Sequence, residues 1–196
     1  MPLSSWDEAQ NDEADWWGDC VNTFQEESKQ RDYATRMGLV EESVNGKWPV
    51  YRLGGANVLD MGGGPTSLLL KCIERGAQCS VVDPCPYPEW VARRYEGAGI
   101  RYYEALAEDF MFGPGTYTEV WIYNVLQHVE DPEAIIRNAW RFARTIRLFE
   151  WIGTKKDAMH LSAPTPQELS TWLHGGGTAE YMPAFHATAW YGVFER

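Results

Sequence analysis

From residue 56 onward, short apolar runs alternate with segments of helical periodicity, and this alternation limits the possible folds of the 196-residue chain more than any other feature. Apolar runs that alternate with helices are typical of a parallel β-sheet covered on both faces. The final two runs have no helix between them and are predicted to pair as an antiparallel hairpin. The sequence therefore predicts an α/β domain with a seven-stranded, mostly parallel sheet. The predicted strands are 56–61, 78–83, 100–105, 117–126, 145–152, 178–186 and 186–195, and the predicted helices are 66–76, 89–99, 131–143 and 165–177.

Three glycines and Pro65 follow the first predicted strand, which ends on Asp60. Glycine allows a tight turn and lets the backbone approach a bound molecule closely. Pro65 suits the first turn of a helix, where its missing N–H costs nothing. We therefore predict a helix directly after this turn, with free N–H groups at its start that form an anion site.

Polar residues also end the second and fourth predicted strands, at Asp83 and at Asn124 to His128. In an open parallel sheet, ligands bind beyond the carboxyl ends of the strands. Asp83 follows Asp60 by 23 residues, about the interval at which an acid binds ribose hydroxyls. Alone, Asp83 before Pro84 reads as a turn-forming residue at the surface. Combined with the glycine turn, it favours a site for a nucleoside-containing ligand.

The first 50 residues form an acidic, tryptophan-rich segment that we separate from a domain at 51–196. Residues 1–28 hold eight of the 28 acids and no Lys or Arg. The tail is predicted to be frayed to about Asp12 and then to form a helical cap, with Trp17, Phe24, Tyr33 and Met37 on its inward face.

Charge and composition limit the partners and the location of the protein. The formal net charge of −11 disfavours binding to bulk nucleic acid. No apolar run approaches the ~20 residues that span a bilayer, and the acidic start lacks the pattern of a secretory signal. We therefore predict a cytoplasmic protein, without a membrane partner, as a monomer or homodimer. The four cysteines form no CxxC pair and are predicted to be reduced, with no metal site.

In these motifs the chain resembles the class I S-adenosylmethionine-dependent methyltransferases, in particular the small-molecule, type 11-like branch. The matching segments are VLDMGGGPTSLLL, SVVDPCP, AEDF and YNVLQHVEDPEAIIRNA. The resemblance implies a Rossmann-like fold, S-adenosyl-L-methionine as cofactor and methyl transfer to a small-molecule acceptor. It makes 51–196 the methyltransferase domain and 1–50 its N-terminal tail and helical cap.

The resemblance also implies roles for individual residues. Asp60, Gly62 and Gly64 would line the methionine half of the cofactor, and Asp83 would accept both ribose hydroxyls. Pro84 and Cys85 would lie along the adenine, and Glu108 or Asp109 would accept its exocyclic amine. The remaining implied contacts are Asn124 near the amino-acid portion, Val125 below the sulfonium, and Gln30, Tyr33 and Arg36 near the cofactor carboxylate. The chain departs from the family pattern at Thr66, where a glycine is frequent, and at Leu106, where an acid is frequent.

For a hydroxyl acceptor, His128 and His160 are the candidates for a general base, because histidine titrates near neutral pH. Each has a structural alternative: His128 as a loop bridge, and His160 as an organiser of the turn before the helix at 165–177.

Two other classes of function remain open. A dinucleotide-dependent oxidoreductase shares the sheet, the glycine turn and the acid, but its G-x-G-x-x-G motif would require glycine in place of Ser67. A non-catalytic methyltransferase-like domain that acts as a binding or scaffold partner would also keep this fold. Eroded cofactor motifs are expected there, whereas Asp60, Gly62, Gly64 and Asp83 are all present.

Overall fold

A computed structural model describes residues 5–43, 49–76 and 78–196. The helices are α1 (Ser5–Trp17), α2 (Phe24–Glu27), α3 (Gln30–Arg36), α4 (Glu89–Gly97), α5 (Pro132–Phe142) and α6 (Pro166–Trp172). The strands are β1 (Val40–Ser43), β2 (Pro49–Arg52), β3 (Val58–Met61), β4 (Cys72–Ile73), β5 (Ser80–Asp83), β6 (Arg101–Glu104), β7 (Glu119–Tyr123), β8 (Thr145–Ile152), β9 (Thr178–Met182) and β10 (Ala187–Glu195).

The main sheet has seven strands in the order β6-β5-β3-β7-β8-β10-β9. The first five strands of this order run parallel, and β10 pairs antiparallel with both β8 and β9. Every residue of β3 and β5 is buried, as expected for central strands covered on both faces. The predicted fold, including the antiparallel hairpin at the C-terminal end, is therefore confirmed.

Each face of the sheet has its own apolar core. On one face, Ile135 and Ile136 of α5 and Leu169 of α6 pack against the strands. On the other face, Tyr33 of α3 and Val91 of α4 do so. The helices are therefore positioned by apolar stripes that the sequence displays at helical spacing.

Local signals position α5 and α6 as predicted. The Asp131 carboxylate accepts a hydrogen bond from the amide of Ala134 (2.9 Å) at the start of α5, with Pro132 in the first turn. A capping box at α6 joins Thr165 and Glu168, each side chain accepting from the other residue's amide. Such caps satisfy N–H groups that the helix itself leaves free.

The helix predicted at 66–76 is wrong. Two short 3₁₀ turns, Gly64–Thr66 and Leu68–Lys71, are followed by β4. Ser67 has extended backbone between the turns, and β4 then pairs with β2 in a second, three-stranded sheet of order β1-β2-β4. This pairing satisfies backbone groups that an α-helix would otherwise bond internally, so the tertiary contact overrides the helical pattern.

The N-terminal cap also differs from the prediction. Helix α1 already begins at Ser5 rather than near Asp12. It ends at Trp17, and the next residue, Gly18, has a φ of +51° in the left-handed region. The predicted single helix is thus divided into α1, α2 and α3. Tyr33 and Met37 are buried as predicted, but Phe24 is 74% exposed and does not face inward.

Strand β2 crosses the predicted boundary between residues 50 and 51. The division of the chain at that point remains a prediction. Within the described ranges, no helix has the length and apolar character needed to cross a bilayer.

Candidate cofactor site

A crevice lies beyond the carboxyl ends of β3, β5 and β7, beneath α1. It contains two adjoining cavities of about 60 and 80 Å³. Residues that line both cavities are Glu13, Gly62, Asp83, Tyr87, Asn124 and His128. The first cavity is also lined by Trp17, Glu26, Gln30, Gly63, Gly64, Thr66 and Tyr123, and the second by Trp6, Gln10, Pro84, Cys85, Val125 and Val129.

Two glycines of the turn after β3 shape the floor of the crevice. Gly62 has a φ of +75°, and a Cβ at this position would come within 2.5 Å of Val125 Cγ2. Gly64 has a φ of +63°, and a Cβ there would make only ordinary contacts, 3.8 Å from Trp17 and 3.9 Å from Tyr87. Gly62 therefore allows the turn to pack against the loop after β7, whereas Gly64 leaves space within the cavity.

The amides after this turn do not form the predicted anion site. The Gly64 amide donates to Asp83 Oδ2 (2.9 Å), and the Ser67 amide donates to the hydroxyl of Tyr95 (2.8 Å). The Leu68 amide donates to the hydroxyl of Tyr123 (3.0 Å). The prediction was wrong because no α-helix begins here and protein side chains already accept from these N–H groups.

The Asp60 carboxylate lies below the turn and not in the crevice. Its Oδ2 accepts hydrogen bonds from the hydroxyls of Ser67 (2.5 Å) and Tyr123 (2.6 Å). Burial raises the pKa of Asp60 to about 7, although both hydroxyl donors favour the ionised form. The Asp60 carboxylate is therefore not placed to make the predicted contact with the cofactor. It stabilises the turn from below through these two hydrogen bonds.

Asp83 faces both cavities from the end of β5. Its Oδ1 accepts from the Cys85 amide (3.0 Å), and its Oδ2 accepts from the Gly64 amide. Burial raises its pKa to about 6, while the two amide donors act in the opposite direction. Each carboxylate oxygen accepts more than one hydrogen bond, so both remain able to accept a donor from a ligand in the crevice.

The loop after β7 is fastened to β8. Asn124 has a φ of +58°, and its amide donates to the carbonyl of Phe149 (2.9 Å). The next two amides, of Val125 and Leu126, both donate to Oε1 of Glu150, at 2.9 and 3.1 Å. Sequence reasoning missed Glu150. The available signal was a carboxylate within the otherwise apolar run LFEWI.

His128 lies in the same loop and lines both cavities. Its Nδ1 is 2.9 Å from the carbonyl oxygen of Met159, which only accepts, so Nδ1 carries the proton. Nε2 then accepts from Gln127 Nε2 at 3.2 Å. Burial lowers the pKa of His128 to about 4, so the ring is neutral at neutral pH.

The second candidate base lies outside the cavities. His160 lines a surface hollow with Glu130, Lys156, Asp157 and Leu161, and its Nδ1 is 3.0 Å from Asp157 Oδ1. Its ring centroid is 5.1 Å from that of His128.

Besides Asp60, three further predicted cofactor contacts are not among the residues that line the cavities. Tyr33 is fully buried, with its ring centroid 4.5 Å from that of Phe149. Arg36 forms ion pairs with Glu180 (2.9 Å) and Asp32 (2.7 Å). Glu108 borders neither cavity. The side chain of Tyr33 is thus used in packing and that of Arg36 in ion pairs, and Glu108 lies outside both cavities.

Helix α1 supplies three residues that sequence reasoning missed, Trp6, Gln10 and Glu13, beside Trp17, which was predicted to face inward. All four line the crevice, and Trp17 Nε1 donates to Glu13 Oε1 at 2.7 Å. Burial raises the pKa of Glu13. The signal was present as spacings of four, three and four residues, which place these side chains on one helical face.

Among the described residues that line the crevice there are three acidic side chains and no Lys or Arg. Glu13, Glu26 and Asp83 contribute three carboxyl groups, and neither cavity is bordered by Lys or Arg. Such a lining attracts a cationic ligand and repels a polyanion.

Comparison with known proteins agrees with this geometry. Residues 59–145 match the family model described as a methyltransferase domain. The matched segment contains the glycine turn, Asp83 and the loop after β7, so it includes most of the crevice.

Curated relatives of the chain are ubiquinone biosynthesis O-methyltransferases. The protein of Pseudomonas fluorescens is 31% identical over 116 residues, which cover 56% of this chain and 46% of that protein. The protein of Pseudomonas paraeruginosa is 32% identical over 151 residues, which cover 64% of this chain and 65% of that protein. The chain thus spans about half to two thirds of the length of these relatives.

Solved structures share the fold at low sequence identity. The 1,6-didemethyltoxoflavin-N1-methyltransferase of Burkholderia thailandensis, with bound S-adenosylhomocysteine, has a TM-score of 0.68 and 16% identity and covers 100% of this chain and 92% of its own. The magnesium protoporphyrin IX methyltransferase of Synechocystis, with bound S-adenosylmethionine, has a TM-score of 0.61 and 14% identity over 100% and 99% of the two chains.

The seven-stranded sheet with its antiparallel hairpin is a Rossmann-like α/β fold, and the chain shares its fold with these two solved methyltransferases. Residues 59–145 are similar to the methyltransferase-domain family.

Proposed function

We propose that the protein is an S-adenosylmethionine-dependent methyltransferase that acts on a small-molecule acceptor. The observation that carries this proposal is the position of Asp83 at the end of β5. Its carboxylate faces both cavities and is oriented by the amides of Gly64 and Cys85. An acceptor with two oxygens suits the two hydroxyls of a ribose.

The residues that line the crevice fit the remaining parts of the cofactor. Gly62 and Gly64 would border its methionine half, and Pro84 and Cys85 would lie along the adenine. Asn124 would lie near the amino-acid portion, and Val125 below the sulfonium. The amino-acid ammonium and the sulfonium are cations, which the three carboxyl groups of the lining favour. When bound, the cofactor supplies a methyl group that the sulfonium already activates.

The same charge distribution disfavours a dinucleotide. A pyrophosphate would enter a crevice bordered by Glu13, Glu26 and Asp83, without a cationic side chain among the described lining residues. The amides that commonly bind phosphate at such a turn already donate to protein oxygens. A non-catalytic binding domain remains the second candidate, because an intact crevice is compatible with binding alone.

The chemistry requires mainly alignment of the acceptor and exclusion of water, which lower the barrier by several kcal/mol. For a hydroxyl acceptor we propose His128 as the general base. Its Nε2 lone pair is free of a proton at neutral pH and accepts only a hydrogen bond from Gln127, which an acceptor hydroxyl would replace. His160 stays the second candidate.

The names of the curated relatives favour an acceptor oxygen on a small molecule. The acidic crevice agrees with a neutral or cationic acceptor. We further propose a cytoplasmic monomer or homodimer.

Calorimetric titration of the purified protein with S-adenosylmethionine and with NADH tests the proposed function. We expect micromolar binding of the adenosyl compound and no heat with NADH. Binding of NADH in preference to S-adenosylmethionine would overturn the proposal. Binding of S-adenosylmethionine without methyl transfer to any of a panel of phenols, catechols and amines would favour the non-catalytic domain.

A further inference from the structure

Glu150 is a buried carboxyl group at the crevice end of β8. Its side chain is fully buried, and its only hydrogen bonds among the described residues are those of Oε1 with the amides of Val125 and Leu126. Its second oxygen, Oε2, is buried and has no hydrogen-bond partner in the described part of the chain. A carboxyl group in this setting is costly to bury, so an ordinary packing role does not account for it.

The two amides belong to the loop that forms one wall of the crevice. Val125 lies so close to Gly62 that a methyl group on that glycine would be 2.5 Å from Val125 Cγ2. The position of Val125 therefore also sets how near the turn after β3 approaches the loop after β7. Through one oxygen atom, Glu150 fixes the separation of two walls that would contact the cofactor.

A second set of contacts holds the far side of this loop. The Ser162 amide donates to the carbonyl of Gln127 (3.0 Å), and the Ser162 hydroxyl donates to the carbonyl of Leu126. These bonds engage carbonyl groups, whereas Glu150 engages amide groups. Among the described residues, no other acceptor bonds the amides of Val125 and Leu126, so their satisfaction depends on Glu150.

We propose that Glu150 is a positioning residue for cofactor binding, which acts by holding the amides of Val125 and Leu126 so that the loop after β7 packs against Gly62. This inference rests on the proposed function for its binding readout, because the ligand whose affinity it controls is the adenosyl cofactor. Glu150 itself does not line either cavity.

The side-chain chemistry separates the role of the acceptor oxygen from that of the charge. Burial raises the pKa of Glu150 to about 8, so the protonated form prevails at pH 7. Glutamine has the same shape and keeps an acceptor oxygen for both amides. Leucine has similar bulk but no acceptor. Glu150→Gln should therefore keep the function of this residue, and Glu150→Leu should lose it.

The chain offers a matched control in Glu119, on the neighbouring strand β7. It pairs with Arg147 (2.7 Å) and lies at the opposite end of the sheet from the crevice. Glu119→Leu removes a largely buried carboxylate from the same sheet without a contact to the loop. This variant measures how much the loss of a largely buried carboxylate elsewhere in the sheet changes ligand affinity.

The experiment measures S-adenosylhomocysteine affinity by calorimetry at pH 7 for the wild type and the three variants. We expect Glu150→Gln and Glu119→Leu to bind as the wild type does, and Glu150→Leu to bind at least about tenfold more weakly, because two buried amides lose their acceptor. Equal affinity of Glu150→Leu and the wild type would overturn the proposal, as would an equal loss in Glu150→Gln.

Amide hydrogen exchange of the wild type, followed by NMR, supplies a readout that needs neither ligand nor a folded leucine variant. The Val125 and Leu126 amides should be protected although they lie at a loop, and Glu150→Asp, which withdraws the carboxyl group, should speed their exchange. Fast exchange in the wild type would refute the positioning role. Protected amides in a protein that binds no adenosyl compound would instead refute the proposed function alone.

Discussion

At the scale of single residues, Gly62 allows the turn after β3 to pack closely against the loop after β7. Two separate features favour glycine at this position. The left-handed φ strains any residue with a Cβ, and the close contact with Val125 leaves no room for one. The sequence already indicated that glycine was needed there. It did not indicate that the neighbouring wall was the reason, because Val125 is 63 positions further along the chain.

Gly62→Ala should lower stability and abolish cofactor binding, since the added methyl group would press Val125 out of the wall. The left-handed conformation alone costs about 1–2 kcal/mol for a residue with a Cβ. Gly99→Ala is the matched control, because Gly99 has a φ of +72° with no atom within 4 Å of its Cβ position. Urea denaturation should show a larger loss for Gly62→Ala. Equal losses of unfolding free energy in the two variants would contradict this prediction, because Val125 would then accommodate the added methyl group without an energetic penalty.

The functional residues differ in how far the sequence predicts them. Asp83 was predicted to face a ligand because it ends a buried strand, and it does line both cavities. Asp60 ends a buried strand too, but its carboxylate turns beneath the glycines towards Ser67 and Tyr123. The direction of a side chain at a strand end depends on partners distant in sequence, which no local pattern specifies.

At the scale of elements, α1 closes the crevice. The cavities beneath it, about 60 and 80 Å³, are far smaller than the roughly 300–1,000 Å³ of pockets that hold drug-sized ligands. An adenosyl compound would therefore need α1 to move away from β3 and β5 before it could enter. Glu13 and Trp17 both belong to this helix and are hydrogen-bonded to each other, so they would move with it as a pair.

Amide hydrogen exchange of α1, compared with and without S-adenosylhomocysteine, should change on binding. Helix α5 contributes no residue to either cavity and serves as the internal control, with exchange rates that stay constant. Unchanged exchange throughout α1 in a protein that binds the ligand would contradict the closed position of this helix.

The helices and strands were predicted correctly where the residues that determine them lie close together in the sequence. Helix α6 carries its capping box and a proline in its first turn within a few residues of sequence, and β8 matches the predicted run from Thr145 to Ile152. The helix predicted at 66–76 failed because β4 pairs with β2, whose partner residues Tyr51 and Arg52 precede it by 21 positions. The apolar residues in that segment are compatible with either structure.

At the scale of the whole molecule, three buried carboxyl groups govern how stability depends on pH. Burial raises the pKa values of Asp83, Asp60 and Glu150 to about 6, 7 and 8. The folded protein thus retains protons that the unfolded chain has released above about pH 4.5. Their contribution to stability is full below that pH and is lost as the pH rises through the folded pKa values.

His128 acts in the opposite direction, but in a lower pH range. Its folded pKa of about 4 lies below the unfolded value near 6.5, so its contribution is complete above pH 6.5. Between pH 6.5 and 8.5 the carboxyl groups should therefore dominate. Urea denaturation should show a fall in the free energy of unfolding of about 1–2 kcal/mol per pH unit near pH 7. A flat or rising stability across this interval would contradict the burial of these groups.

The central claim is that Asp83 binds the ribose of an adenosyl cofactor in the crevice. Its most direct test is calorimetric titration with S-adenosylhomocysteine of the wild type, of Asp83→Asn, and of Asp15→Asn, a control on the exposed side of α1. The amide in Asp83→Asn keeps one acceptor oxygen, so affinity should fall at least about tenfold, the effect of one lost hydrogen bond to a charged group. Asp15→Asn should bind as the wild type does. Wild-type affinity in a folded Asp83→Asn variant would contradict the account.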